Sequence, residues 1–163
     1  MIVRDKIFGI DRRCFLTQAG LITLALVTSN KSKIMKIPKG VTIRLSEYSV
    51  EETINRIAYF LQGKGATIYA RIDQQHEVAR VGKRIAPLEF IMFGNPKAGF
   101  GAMSAVPVAA LDLPLKIIAW EDENKQVWIA YNQQIYIRER YELPADLIAG
   151  FDLDAVVSSA LSI

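Results

Sequence analysis

An apolar run that ends abruptly in turn-forming residues constrains the fold more than any other stretch of this sequence. Phe90-Ile91-Met92-Phe93 consists of strand-forming residues, and Gly94-Asn95-Pro96-Lys97-Ala98-Gly99 follows it directly. A short apolar run that stops at glycine and proline predicts a buried strand. Proline fixes its own φ and pushes Asn95 out of the helical region, while Gly94 and Gly99 permit backbone angles that other residues avoid. We therefore expect a rigid loop after this strand.

This loop is the candidate ligand site. The site comprises Gly94, Asn95, Pro96, Lys97 and Gly99, in which Asn95 contributes an amide side chain, Lys97 a cation, and all but Pro96 a backbone N–H group. Successive N–H groups can bind an anion, and a helix that begins near Phe100 would add the positive end of its dipole. The alternative is a tight strand-to-helix connection that leaves Lys97 in solvent.

The loop does not match the common nucleotide-binding motifs. Gly94 and Gly99 have the spacing of the first half of a P-loop, but Phe100 and Gly101 stand where that motif has Lys and Ser or Thr. No Gly-x-Gly-x-x-Gly fingerprint follows a strand either. The phosphate and magnesium contacts of a P-loop are therefore missing.

Residues 1–29 have the pattern of an export signal. They resemble the twin-arginine signal, in which two arginines are followed by Phe and Leu, and the matching residues are Arg12, Arg13, Phe15 and Leu16. The apolar segment from Ala19 to Thr28 within it, about ten residues, is too short and too rich in Thr to span a bilayer. We expect cleavage before Asn30 and transport of the folded protein by the export translocase, into the periplasm or, in a photosynthetic source, a thylakoid lumen. The alternatives are an uncleaved amphipathic anchor and a wrongly assigned start.

Removal of residues 1–29 changes the bulk properties of the chain. The whole sequence has 20 basic and 17 acidic residues. Residues 1–29 hold four of the basic and two of the acidic residues, so 16 basic and 15 acidic residues remain. No basic stripe, recognition helix or zinc-finger spacing remains, so we expect no nucleic-acid partner. Cys14, the single cysteine, lies in the same segment. The remaining domain would therefore have no disulfide, thiolate metal site or cysteine nucleophile.

The rest of the chain alternates between strand and helix patterns. Ser49-Val50-Glu51-Glu52 is a capping box, Asp73 caps a second helix, and two apolar runs joined by the acidic turn 121–125 form a β-hairpin. After a polar lead-in at residues 30–40, the expected order is β-α-β-α-β-α-β-β-α-α. The strands are 41–45, 66–72, 88–93, 117–120 and 127–131, and the helices are 49 to 63 or 65, 73–82, about 100–111, 135–141, and one or two from 144 to the end.

This order of elements is that of an α+β fold. Residues 41–163 are enough for a single small domain with one core, and no repeat or internal linker divides them. We expect an antiparallel or mixed sheet with helices packed against one face.

Several motifs of the chain resemble the domain-of-unknown-function 302 family. The matching stretches lie between Val50 and Tyr141, and the most specific are Phe93 to Gly99, Ala110 to Lys116 and Trp120-Glu121-Asp122. The resemblance implies a small α+β domain with a TATA-binding-protein-like arrangement of sheet and helices. It also implies a tendency to form homodimers, but it supplies no enzymatic activity, and nothing in the sequence identifies a cofactor.

Two positions depart from the pattern of that family. Phe100 stands where many members have Thr or another polar residue, and Gln74 stands where many have His. The resemblance therefore implies neither a hydroxyl contact to a ligand after the motif nor a histidine metal site at the end of the second strand.

The sequence offers few groups for catalysis. His76 is the single histidine and has Asp73 and Glu77 nearby, so a surface histidine is favoured over a metal site. Ser104 lacks the strand–Gly-x-Ser-x-Gly–helix context of a nucleophile. The carboxylates at 121–123 lie in the expected hairpin turn, where solvation is the simpler interpretation.

Asp112 and the tryptophans of the hairpin each allow two interpretations. Asp112 is a candidate acid–base residue, but it could instead hold the loop or pair with Lys97 or Lys116. Trp120 and Trp128 pack across the hairpin as core residues or line a groove.

Three functions remain open. The preferred one is a non-catalytic, exported homodimer that binds a small anionic or amphipathic ligand at Asn95, Lys97 and Gly99, with Asp112 and Lys116 nearby. The second is an enzyme that uses Asp112 and Lys97 as an acid–base pair. The third is a structural or interaction domain in which the glycine-rich motif shapes an interface.

Overall fold

Five antiparallel strands form the centre of the structure, a computed structural model that describes residues 36–162. The strands follow one another across the sheet in the order β1-β5-β4-β3-β2. The sheet is wholly antiparallel, which decides between the antiparallel and mixed alternatives. The strands are β1 (Val41–Ser46), β2 (Thr67–Asp73), β3 (Leu88–Gly94), β4 (Leu115–Glu121) and β5 (Val127–Asn132).

The helices begin and end where capping residues occur in the sequence. The side chain of Ser49 accepts a hydrogen bond from the Glu52 N–H, and that of Asp73 accepts one from the His76 N–H, so both predicted caps are confirmed. The helices are α1 (Val50–Gly63), α2 (Gln74–Arg80), α3 (Pro96–Ala105), α4 (Gln134–Tyr141) and α5 (Leu153–Leu161), with 3-10 segments at Pro107–Leu111 and Ala145–Phe151.

The prediction of a rigid loop at 94–99 with a helix from about residue 100 is wrong. α3 already begins at Pro96, because the Asn95 side chain caps it by accepting from the Lys97 N–H at 2.9 Å. Neither Gly94 nor Gly99 has a positive φ; among the described glycines that conformation occurs at 40, 65 and 82. The helix ends at Ala105, and Pro107 starts a separate 3-10 segment rather than continuing it.

The hydrophobic core lies between the helices and one face of the sheet. Residues that face it alternate along each strand, as Leu115, Ile117 and Ala119 do on β4. α1 contributes Ile54 and Ile57, both fully buried. The largest buried side chains of the remaining elements are Ile91, Ile129, Ile137 and Val157.

One ion pair stands on the core face of the sheet. Glu89 of β3 is 8% exposed and accepts two hydrogen bonds from the Arg71 guanidinium of β2. Arg71 also donates to the Asn55 side chain of α1 at 2.6 Å. Glu89 raises the pKa of Arg71, which is charged at any working pH. The pair therefore ties the edge of the sheet to the first helix.

The other face of the sheet, here called the open face, is also rich in apolar residues. Its central positions are Phe90, Ile118, Trp120 and Trp128, which the strand register places side by side. They are partly exposed and do not belong to the buried core. The predicted cross-strand pairing of Trp120 and Trp128 is confirmed, but the pair lies on the open face rather than in the core. The fold is thus the predicted α+β arrangement with helices on one face.

Within residues 36–162 no helix has both the length and the apolar character needed to cross a lipid bilayer.

Candidate functional site

An apolar cavity of about 460 Å³ lies between the starts of α3 and α5, the end of α1, and the core face of the sheet. Its volume is within the range of small-molecule binding sites. The walls consist mostly of aliphatic, aromatic and glycine residues: Leu61, Lys64, Ala66, Tyr69, Phe93, Gly94, Asn95, Pro96, Ala98, Gly99, Met103, Leu113, Pro114, Leu115, Gly150, Leu153 and Val156.

The N-terminus of α3 forms one rim of the cavity and is fixed by Asn95. The side-chain oxygen of Asn95 caps the helix, while its amide nitrogen lies 3.5 Å from the Gly65 carbonyl in the turn between α1 and β2. Pro96 occupies the first position of the helix, where its missing N–H costs nothing. Asn95 and Pro96 therefore form a helix start in the cavity wall, not a loop.

At three glycines of the cavity wall, a Cβ atom would make only ordinary van der Waals contact with its neighbours. A Cβ atom at Gly94 would lie 3.5 Å from Cε2 of Tyr69, and one at Gly150 would lie 3.5 Å from Cβ of Ala98. A Cβ atom at Gly99 would lie 3.5 Å from Cε of Met103, which also lines the cavity. A larger side chain at Gly99 would therefore extend into cavity space.

Lys64 is the single charged residue among those that line the cavity. It follows the last residue of α1 and is exposed, with its ammonium 5.5 Å from the centre of the Phe60 ring. A cation at the edge of an apolar cavity can pair with an anionic group while the walls bury an apolar body. The arrangement therefore suits an amphipathic molecule.

The family of the chain follows from residues 41–158, which match the model of the domain of unknown function DUF302. The chain belongs to the DUF302 family. The match extends beyond the stretch from Val50 to Tyr141 on which the resemblance rested, and it includes both β1 and most of α5.

The fold of this DUF302 domain is also found in a solved structure. It is similar to an uncharacterized conserved DUF302 protein from Bacillus stearothermophilus, with a TM-score of 0.64 at 15% identity, over 77% of this chain and 98% of the other. At this identity the likeness shows the α+β fold and nothing more.

Curated relatives of the chain carry the name of a channel. The chain is 34% identical over 107 residues to the fluoride-specific ion channels FluC 1 of Brucella suis and FluC 1 of Brucella abortus. The match covers 66% of this chain but only 42% and 40% of those proteins. The chain thus spans about two fifths of the length of the relatives that it matches.

The structure separates the seven predicted ligand residues into two groups. Gly94, Asn95, Pro96 and Gly99 line the cavity. Lys97, Asp112 and Lys116 do not belong to its walls. Lys97 lies in the first turn of α3 and is exposed.

Asp112 holds α4 in place instead of pairing with a lysine. Its Oδ2 accepts hydrogen bonds from the Tyr141 hydroxyl at 2.7 Å and from Arg140 Nη1 at 3.1 Å, and its Oδ1 lies 3.4 Å from Asn132 Nδ2. Burial and the contact with Asp112 raise the pKa of Tyr141. The suggested ion pair with Lys97 or Lys116 is wrong, because the pair forms with Arg140.

Lys116 lies on the opposite side of the sheet from the cavity. It belongs to the open face, where the strand register places it beside Met92, and its ammonium donates to the Pro114 carbonyl at 3.3 Å. The peptide bond between Leu113 and Pro114 is cis. Leu113, Pro114 and Leu115 form the wall of the cavity next to it.

The other groups considered for chemistry lie away from the cavity. His76 is exposed on α2, and the described residues hold no group of three or more His, Cys, Asp or Glu placed to bind a metal. Asp122 organises the hairpin turn, since it accepts from Trp128 Nε1 and from the N–H groups of Asn124 and Gln126. The Trp128 hydrogen bond is the main reason why the pKa of Asp122 is lowered.

Sequence reasoning missed most of the cavity wall. The missed residues come from the end of α1 and the residue after it, from β2 and from α5, far from the motif at 94–99; they are Leu61, Lys64, Tyr69, Leu153 and Val156. Each fits the ordinary apolar pattern of its element, apart from Lys64. Their common cavity therefore leaves no local signal in the sequence.

Proposed function

We propose that this DUF302 domain is a non-catalytic binding domain for a small amphipathic molecule, which it holds in the cavity beside α3. The proposal depends on one observation, an apolar cavity of about 460 Å³ with a single charged residue at its edge. The apolar part of the ligand contacts Phe93, Leu115 and Leu153. A carboxylate or similar anionic group faces Lys64.

The apolar walls supply most of the binding free energy in this proposal. Burial of apolar surface contributes roughly 25 cal/mol per Å². A fatty acid with a ten-carbon chain, decanoate, is a suitable probe because its tail is apolar and its head is anionic. At about −0.5 kcal/mol per non-hydrogen atom, between the limits for very small and drug-sized ligands, its dissociation constant would be on the order of 10–100 µM.

The residues around the cavity favour binding over catalysis. Lys64 and Tyr69 are the titratable side chains among them, so the walls offer no pair of carboxylates for general acid–base work. The alternative enzyme would use Asp112 with Lys97, yet the Asp112 carboxylate is engaged by Tyr141 and Arg140. That alternative requires Asp112→Asn to abolish turnover of a substrate in a folded protein.

The name of the curated relatives does not suggest the ligand of this cavity. Fluoride is small and strongly hydrated, and an apolar wall cannot replace its hydration shell. The matched region is also only about two fifths of those channels. We therefore expect no fluoride binding in the cavity, and a titration with sodium fluoride serves as a negative control.

Calorimetric titration with decanoate tests the proposal. Gly99→Leu fills cavity space, so we expect at least a tenfold loss of affinity. Gly63→Leu is the matched control, because a Cβ atom at Gly63 meets nothing within 4 Å and Gly63 does not line the cavity. If a folded Gly99→Leu variant bound decanoate as well as the wild type does, the cavity would not be the binding site.

We also propose that binding takes place after export, although residues 1–29 lie outside the described residues. The proposal is supported by the sequence of the paired arginines. Replacement of both Arg12 and Arg13 by Lys keeps the charge but removes the twin-arginine pattern. We expect this variant to remain in the cytoplasm of a bacterial host in which the wild type reaches the periplasm. Equal export of both proteins would contradict the twin-arginine assignment.

A further inference from the structure

We propose that this domain docks on the surface of an anionic lipid bilayer through residues 96–111, here called the rim segment. The rim segment comprises α3 and the 3-10 segment that follows it. The inference gives the domain a partner of its own and does not depend on whether the cavity binds a ligand.

The rim segment exposes large apolar side chains to solvent. Phe100 and Leu111 are each 69% exposed, Val108 is 57% exposed and Met103 is 38% exposed. Val108 and Leu111 lie three residues apart in a 3-10 helix, so they share one side of it. Exposed apolar side chains that are grouped in one segment mark a contact with another protein or with a membrane.

Packing leaves one apolar side of α3 at the edge of the cavity. A Cβ atom at Gly101 would lie 2.8 Å from Leu147 Cδ2, so that side of the helix faces the second 3-10 segment. Pro96, Phe100 and Met103 follow one another at helical spacing and share another side. Pro96 and Met103 line the cavity, whereas Phe100 does not and points to solvent beside it. Docking through this side therefore places the edge of the cavity at the lipid surface.

The charges beside this apolar side are positive. Lys97 is the one charged residue of the rim segment, and it precedes Phe100 by three residues, which makes the two neighbours on the helix surface. Lys64 is close to the start of α3, because the carbonyl of the next residue, Gly65, lies 3.5 Å from Asn95 Nδ2. Among the described residues no acid lines the cavity. Cations beside exposed apolar side chains complement anionic headgroups above acyl chains.

The composition of the rim segment favours a bilayer over a protein partner. Protein interfaces combine an apolar centre with a polar rim that makes hydrogen bonds. Within residues 96–111 only Lys97 and Ser104 have polar side chains. Phe and Leu side chains flanked by Lys are typical of segments that lie at the boundary between headgroups and acyl chains.

The open face of the sheet is less suited to insertion into lipid. Its central side chains, Phe90, Ile118, Trp120 and Trp128, are only partly exposed. Membrane binding at an interface increases with the apolar area that enters the bilayer. Trp120 and Trp128 are the two tryptophans of the chain, so their fluorescence reports whether this face contacts lipid instead.

Co-sedimentation of the full chain with vesicles tests the proposal. We expect binding to vesicles of phosphatidylglycerol and phosphatidylcholine in equal amounts, and much weaker binding to phosphatidylcholine alone. Phe100→Gln should weaken binding about tenfold, because an apolar side chain no longer enters the bilayer. Lys97→Gln should weaken it about fivefold. Val81→Gln is the matched control: Val81 is 73% exposed and follows α2, which precedes β3, whereas α3 follows β3.

A local readout is needed because residues 1–29 carry a net positive charge and an apolar stretch of their own. Phe100→Trp places a tryptophan in the rim segment. Phosphatidylglycerol with brominated acyl chains quenches tryptophans that contact the chains, so it should quench this one and leave Trp120 and Trp128 of the wild type unquenched. Quenching in the wild type would show that the open face docks and would overturn the proposal.

The remaining outcomes separate docking from folding and from the cavity. Phe100→Gln should keep the circular dichroism spectrum and the decanoate affinity of the wild type, since Phe100 does not line the cavity. If that variant does not fold, Leu111→Gln provides the same test at an equally exposed position. Equal vesicle binding by the wild type and a folded variant, or equal binding to neutral vesicles, would overturn the proposal. A protein that docks on vesicles but does not bind decanoate would contradict the proposed function alone.

Discussion

At the scale of single residues, the two lysines near the motif have different expected roles. Lys64 lines the cavity and Lys97 does not. We predict that Lys64→Ala weakens decanoate binding about two- to fivefold, as expected for an exposed ion pair, and leaves the affinity for decanol almost unchanged. Lys97→Ala should affect neither ligand. Calorimetry on the two variants with both ligands measures this difference. If only Lys97→Ala lost affinity for decanoate, Lys97 and not Lys64 would be the cation that pairs with the ligand, as predicted from sequence.

Tyr131 gives the stability of the domain a dependence on pH. Burial and its hydrogen bond to Asp154 raise the pKa of Tyr131 from 10.0 to about 12, although Arg44 nearby acts in the opposite direction. The folded state thus retains a proton that the unfolded state releases above pH 10. This contribution to stability is complete below pH 10 and is lost as the pH rises to about 12.

Tyr131→Phe should remove this titration. We predict a loss of about 1–2 kcal/mol in unfolding free energy at neutral pH, because Asp154 loses its donor, and a smaller decline between pH 10 and 12 than in the wild type. Urea denaturation at a series of pH values gives both quantities. Part of the decline should persist, since the pKa of Tyr141 is also raised. Parallel curves for the two proteins would show that Tyr131 does not titrate as proposed.

At the scale of elements, Gly40, which directly precedes β1, packs closely against α4. Its φ is +77°, and a Cβ atom there would lie 2.0 Å from the ring of Tyr136 on α4. We predict that Gly40→Ala destabilises the domain by more than 2 kcal/mol, through both backbone strain and the clash. Gly82→Ala is the matched control, because its φ is +73° but its Cβ would meet nothing within 4 Å. It should cost about 1 kcal/mol, and equal losses of thermal stability would contradict the clash.

The order of elements was predictable from sequence, but the start of α3 was not. The caps at Ser49 and Asp73 are local signals that each mark one helix, and the hairpin pattern marks two strands. Asn95 and Pro96 are ambiguous, because the same pair that marks a turn also forms a helix cap and first residue. In the structure Asn95 is the cap, and α3 also packs against the 3-10 segment at Ala145–Phe151, a contact that is distant in sequence.

At the scale of the whole molecule, the cavity and the open face are products of topology. The alternation along β3 and β4 predicts two faces, and the α+β pattern predicts helices on one of them. The observed strand order places β4 and β5 inside the sheet. This order was not predictable, because a hairpin pattern specifies only the pairing of strands that follow each other along the chain. The motif at 94–99 marked one wall of the cavity, whereas the walls from α1 and α5 depend on contacts across the fold.

Methyl-resolved nuclear magnetic resonance during a decanoate titration tests the central claim most directly. Isoleucine, leucine and valine methyl groups report on both sides of the sheet in one experiment. If the cavity binds the probe, shifts should be confined to Leu61, Leu113, Leu115, Leu153 and Val156, with Leu88 and Ile118 of the open face unchanged. Shifts confined to the open face, or no shifts at all at millimolar decanoate, would contradict a ligand site beside α3.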